Sequence, residues 1–118
     1  YCRKTEQTVP VTTGEIAAVI YQSLADCYGK TAVQLQENTG RTYNGIFVIG
    51  GGSNAAYLNQ LTADAAGMDV WAGPGEATAV GNLMAQMIRN RELKDLAQAR
   101  KSVADSFRIS HYQPKENR

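Results

Sequence analysis

The stretch Gly45-Ile46-Phe47-Val48-Ile49-Gly50-Gly51-Gly52-Ser53-Asn54 decides the fold. Four apolar, β-favouring residues run into three glycines. The polar pair Ser53-Asn54 then opens a helical pattern that carries Tyr57, Leu58, Leu61 and Ala65 on one side. The order is strand, glycine turn, helix. Glycines at such a junction leave no Cβ in a ligand's way, and the free N–H groups at a helix start point outward with the positive end of its dipole. A phosphate or a nucleotide suits that corner. A tight turn with no ligand satisfies the same three glycines, so the choice between the two readings rests on the rest of the chain.

Downstream, the helix from about Asn54 runs to Gly67, which has the type and position of a left-handed C-terminal cap. Met68 to Ala72 reads as a second strand. Strand, helix and strand in this length make a βαβ unit, with parallel strands and a right-handed crossover. Gly73-Pro74-Gly75 closes it with a turn. Glu76 to Ile88 is the next helix, with Val80, Leu83, Met84, Met87 and Ile88 as its buried stripe and the small residues Ala77 and Gly81 permitting close packing. Leu93 to Phe107 reads as a surface helix through Leu96 and Val103, Ile109 to Tyr112 as an extended edge, and Pro114 to Arg118 as a fraying end.

Upstream, a threonine with Glu15 three residues on forms a capping box in Thr12-Thr13-Gly14-Glu15. Ile16, Val19, Ile20, Leu24, Cys27 and Leu35 follow at helical spacing, so a long helix is predicted from about Thr13 to about Gln36, weakened in its middle by Gly29 and ended by Asn38-Thr39-Gly40. Ile46 to Ile49 is apolar without alternation, which predicts a central strand covered on both faces. The fold class is α/β: helix-rich, and built on one βαβ unit.

At 118 residues the chain is one domain at most. Charged residues make up 19% and the formal net charge is +1, which provides no basic footprint for nucleic acid. No apolar run approaches a membrane span, and no signal-type leader opens the chain. The expected setting is the cytoplasm. Tyr1 stands where a complete chain would begin with Met, so the sequence reads as a piece of a longer one. Cys2 and Cys27 are too few for a disulfide scaffold and lack zinc spacing; Cys27 is expected on a buried apolar face and Cys2 exposed, with a bridge between them left open.

Catalytic chemistry is scarce. No GxxxxGK motif followed by Ser or Thr occurs, so there is no P-loop. Gly50-Gly51-Gly52-Ser53-Asn54-Ala55 satisfies G-x-G-x-x-A after a strand, as in a dinucleotide-binding domain of an oxidoreductase. That fold requires a ribose-binding acid at the end of the second strand, and here Asp69 precedes Val70 and Trp71 while the strand ends in Gly73-Pro74. His111, the only histidine, reads as a surface residue, and Trp71 as core rather than a stacking platform. Asp64, Asp69, Glu76 and Asp95 are scattered and declare no metal site or acid–base pair; Glu76 reads as a first-turn acid that complements the helix dipole. Ser53 and Asn54 are the best polar candidates for touching a ligand, with an N-cap role explaining Ser53 equally well. A nucleotide corner without a catalytic group suits half of a two-lobed enzyme; a non-catalytic interaction module is the remaining alternative.

Three blocks in order, Val48-Ile49-Gly50-Gly51-Gly52-Ser53, Leu58-Asn59-Gln60-Leu61-Thr62-Ala63-Asp64, and Ala72-Gly73-Pro74-Gly75-Glu76-Ala77-Thr78-Ala79-Val80-Gly81-Asn82, resemble the C-terminal domain of the FGGY carbohydrate kinases. The resemblance extends over nearly the whole chain. It implies part of a ribonuclease H-like lobe of the actin and hexokinase type of ATPase, in which two lobes close over ATP and sugar. GPGEATA followed by GN is nearest the branch that acts on L-rhamnulose. By resemblance the ATP-binding residues are Gly50, Gly51, Gly52, Ser53 and Asn54: Gly51 contacts the nucleotide, Gly50 and Gly52 shape the turn, and Ser53 and Asn54 lie beside the adenosine. The glycerol kinase branch carries an adenine-contacting asparagine where this chain has Ala55, which leaves a contact from Asn54 unassigned. The resemblance places the catalytic aspartate, most sugar contacts and most Mg²⁺ contacts outside this chain, so the piece alone is expected to be inactive. Its missing strands are expected to leave a sheet edge that drives self-association.

Overall fold

The computed structural model describes residues 1–115; the fraying expected of 116–118 lies outside them. Helix α1, Thr13–Thr39, begins where the capping box predicts. The Thr12 hydroxyl accepts from the Glu15 N–H at 3.2 Å, while the Glu15 carboxylate accepts from the N–H groups of Thr12 and Val11 at 2.9 and 2.7 Å. Those backbone donors, Thr12 first and Val11 second, hold the Glu15 carboxyl below its ordinary pKa. The helix runs three residues past Gln36 and stops at Gly40, whose φ of 65° lets its N–H turn back to the Gln36 carbonyl at 2.9 Å.

Strand β1, Gly45–Val48, is followed by α2, Ala56–Ala66, and by β2, Asp69–Ala72, which pairs parallel to β1 from Gly45↔Asp69 to Val48↔Ala72. This is the predicted βαβ unit, with Gly67 capping α2 at φ 61°. Helices α3, Ala77–Arg89, and α4, Leu96–Ser106, follow; the Asp95 carboxylate caps α4 by accepting from the Gln98 N–H at 2.9 Å. Strand β3, Ser110–Tyr112, then adds antiparallel to β2. The sheet order is β1-β2-β3, so β2 is central and β1 is an edge, as expected of Ile46 to Ile49 without the missing strands.

Helix α1 crosses α2 at Gly29. A Cβ at Gly29 would stand 2.7 Å from the Ala65 carbonyl oxygen, so the glycine read as a weak point of the helix is where the two backbones meet. Ala25 of α1, Asn59, Thr62 and Ala63 of α2, and Val70 and Ala72 of β2 form the buried layer. The burial of polar Asn59 and Thr62 departs from the predicted face of Tyr57, Leu58, Leu61 and Ala65. Both are satisfied, Asn59 through its amide to the Ser53 carbonyl at 3.0 Å and Thr62 through its hydroxyl to the Leu58 carbonyl at 2.8 Å; Tyr57 and Ala65 are exposed. Cys27 lies two residues from both Ala25 and Gly29, hence on the opposite side of α1, and is exposed; Cys2 is half-buried and both thiols are free.

The sheet also departs from expectation. Ile46 and Val48 share a face with buried Val70 and Ala72, under α2, but Phe47 is 73% exposed on the other face. There the cross-strand register aligns Phe47, Trp71 and His111, with ring centroids 5.2 and 4.9 Å apart. Trp71 is therefore the middle of a stacked row rather than core, and His111 is tied down, its Nε2 2.9 Å from Asp69 Oδ2. In α3 and α4, Leu83, Gly81 and Leu96 are exposed, with nothing close to Gly81; the buried positions are Val80, Ala99 and, before α4, Leu93. The predicted apolar stripes thus lack part of their cover. The radius of gyration, 18.1 Å, exceeds the roughly 13.5 Å of a compact chain of this length.

Candidate functional site

The site is built where β1 and β2 end. In a parallel sheet both strands deliver their loops to the same edge, the edge at which α/β folds bind ligands. Two backbone hydrogen bonds lash those loops together: the Gly73 N–H donates to the Val48 carbonyl at 2.8 Å, and the Gly50 N–H to the Pro74 carbonyl at 3.1 Å. Gly50 takes φ 76° and ψ −159°, a conformation that glycine alone adopts cheaply, and this reverses the chain into a 3₁₀ turn at Gly51–Asn54. The Gly50 carbonyl accepts from both the Ser53 N–H at 3.0 Å and the Ser53 hydroxyl at 2.7 Å.

Ser53 is buried, so it closes the turn from inside. It is not the N-cap of α2; that position falls to Ala55, with no side-chain cap. The turn is instead braced from the helix, where the buried Asn59 side chain donates from Nδ2 to the Ser53 carbonyl at 3.0 Å. A buried carbonyl left without that donor would cost about 1–3 kcal/mol. Gly51 and Gly52 are exposed, and their N–H groups have no protein acceptor among the described residues. A Cβ placed on Gly51 would meet nothing within 4 Å, which makes the backbone here an open approach. Gly75 faces the turn from the other loop, its Cβ direction ending 3.7 Å from Asn54 Nδ2 and 3.8 Å from Ser53 Oγ. Helix α3 starts just beyond, with Glu76 at its N-cap rather than in its first turn and making no side-chain cap.

The arrangement is an uncapped, glycine-lined edge with free backbone amides at Gly51 and Gly52. Asp69 opens β2 at the far end of the strand and is occupied by His111. This is contrary to the acid at the strand end that a nicotinamide fold uses. Among the described residues no three His, Cys, Asp or Glu side chains converge as metal ligands. Two shallow surface depressions lie along α1, away from this corner.

Residues 2–89 match the FGGY family of carbohydrate kinases, C-terminal domain. The chain belongs to that family. Curated relatives agree over almost all of it. It is 51% identical over 115 residues to the rhamnulokinase of Enterococcus faecalis, covering 96% of this chain and 23% of that protein. Identity is 47% over 116 residues to the rhamnulokinase of Bacillus subtilis, and 42% over 118 residues to that of Ligilactobacillus salivarius, covering 98% and 100% of this chain and 24% of each relative. The chain thus spans about a quarter of the length of the curated relatives it matches.

Within this FGGY domain the structure brings Gly50, Gly51, Gly52, Ser53 and Asn54 together in one turn. It also brings in residues that the glycine motif does not name: Pro74 and Gly75 through the backbone clamp, and Asn59 through its amide. The first two carry a signal in sequence, since they close the second strand of the same βαβ unit. Asn59 carries none, being a polar residue within a helical pattern. No helix of the described residues is long and apolar enough to cross a membrane.

Proposed function

We propose that the full-length protein transfers the γ-phosphoryl group of Mg·ATP to the 1-hydroxyl of L-rhamnulose, with this chain supplying the adenosine-binding corner. The observation that carries this reading is the open backbone at Gly51 and Gly52, whose unused N–H groups sit where β1 and β2 end. Such a cradle fits a nucleotide, because the ligand can reach amide hydrogens without meeting a side chain. Gly50 sets the reversal, Gly51 and Gly52 line the approach, Ser53 closes the turn from inside, and exposed Asn54 flanks the adenosine. The choice of sugar rests on the relatives named rhamnulokinase.

In this reading residues 1–118 are the C-terminal part of a ribonuclease H-like lobe of the actin and hexokinase type, a single and incomplete domain. The exposed Phe47 and the extended shape support that view. Phosphoryl transfer depends on positioning and charge neutralisation, and the groups that supply both, the catalytic base and the Mg²⁺ ligands, lie outside this chain. The setting is cytoplasmic. A coupled assay of the full-length protein across ketoses tests the proposal: preferential turnover of L-rhamnulose with ATP is expected, and a clear preference for xylulose, fuculose or glycerol would move the protein to another branch.

A further inference from the structure

We propose that Asn59 is a positioning residue for the nucleotide corner, an inference that rests on the reading of that corner given above. The glycine turn has little to hold it. Three of its residues lack side chains, the helix behind it has no side-chain cap, and its amides at Gly51 and Gly52 are unused. Asn59 secures it from the second turn of α2, where its backbone N–H donates to the Ala55 carbonyl at 2.9 Å and its side-chain Nδ2 to the Ser53 carbonyl at 3.0 Å.

The brace continues outward. Ser53, fixed through its own carbonyl, donates twice to the Gly50 carbonyl, and the Gly50 N–H is fixed on Pro74. A single buried amide therefore sets the orientation of the two exposed N–H groups relative to the Gly73-Pro74-Gly75 loop. Asn59 is 2% exposed, so its effect on nucleotide passes through the turn. Thr62 supplies an internal comparison. It is equally buried on the same helix, but its hydroxyl bonds the Leu58 carbonyl within α2 and does not reach the turn.

Asn59→Ala and Thr62→Val, made in the full-length protein, separate positioning from stability. Asn59→Ala is expected to raise the apparent KM for ATP about five- to tenfold, the usual effect of one lost hydrogen bond, while KM for the sugar stays within about twofold. Thr62→Val is expected to lower thermal stability without moving KM for ATP. Hydrogen exchange of 50–55 provides a readout free of turnover and should quicken in Asn59→Ala alone. Should Asn59→Ala fail to fold, Asn59→Ser, whose hydroxyl is too short to reach Ser53, takes its place with the same expectations. Unchanged exchange in the turn overturns the proposal. Faster exchange with unchanged KM for ATP, or equal shifts in both variants, also overturns it. A wild-type protein that turns over no sugar with ATP refutes the kinase reading instead, and exchange still decides whether Asn59 holds the turn.

Discussion

Replacing Gly29 by Ala tests whether α1 and α2 cross where the structure places them. In an isolated helix interior this change is favourable by about 1 kcal/mol, because alanine loses less backbone freedom. Here the new Cβ would stand 2.7 Å from the Ala65 carbonyl oxygen, 3.0 Å from its carbonyl carbon and 3.3 Å from the Ala66 nitrogen. All three are backbone atoms of a packed helix and cannot rotate away, so α1 must lift off α2 by several tenths of an ångström. Overpacking of that kind costs about 1–3 kcal/mol, which outweighs the propensity gain. Net destabilisation of up to about 2 kcal/mol is expected. Gly81→Ala is the matched control: Gly81 lies inside α3 with nothing within 4 Å, so the same substitution should stabilise by up to about 1 kcal/mol. Urea unfolding of the 118-residue chain, followed by the fluorescence of its only tryptophan, Trp71, measures both. Equal stabilisation by the two substitutions would refute the helix crossing.

The capping box makes an acid-pH prediction. Because the Glu15 pKa is depressed in the folded chain, its contribution is complete above the ordinary value of 4.5 and is lost as pH falls through the lowered one. The stability difference between wild type and Glu15→Gln should thus be constant from neutral pH to about 4.5 and shrink below it; a difference independent of pH in acid would show that the Val11 and Thr12 bonds contribute nothing. The unpaired edge of β1, with exposed Phe47 on its strand and exposed Ile16, Val19 and Ile20 along α1, should make the 118-residue chain a dimer or larger assembly at micromolar concentration. A monomer without concentration dependence in sedimentation equilibrium would refute this.

Much of the architecture was legible because its signals are local. The Thr12–Glu15 box, the Gly40 and Gly67 caps and the glycine turn each declare themselves within a few residues, and the predicted elements formed within three residues of their bounds. Apolar periodicity shows that a helix has a face to bury, but not which neighbour covers it. Hence Leu83, read as part of a buried stripe, and Tyr57, read as part of the apolar side of α2, are exposed. The aromatic row needed the register of three strands, which pairs Trp71 with His111 forty positions away. At the site, the three glycines and Ser53-Asn54 were readable as one corner, but the positive φ falls on Gly50 alone, and the brace from Asn59 is invisible without a helix to place it.

The central claim is that ATP approaches the backbone at Gly51. Its most direct test is Gly51→Val in the full-length protein. The structure leaves open space at that Cβ, so the variant should fold with little change in melting temperature. A branched side chain in the ligand's path is expected to raise the apparent KM for ATP about tenfold or more while KM for the sugar stays within about twofold. Unchanged ATP kinetics in a normally folded Gly51→Val protein would contradict the account.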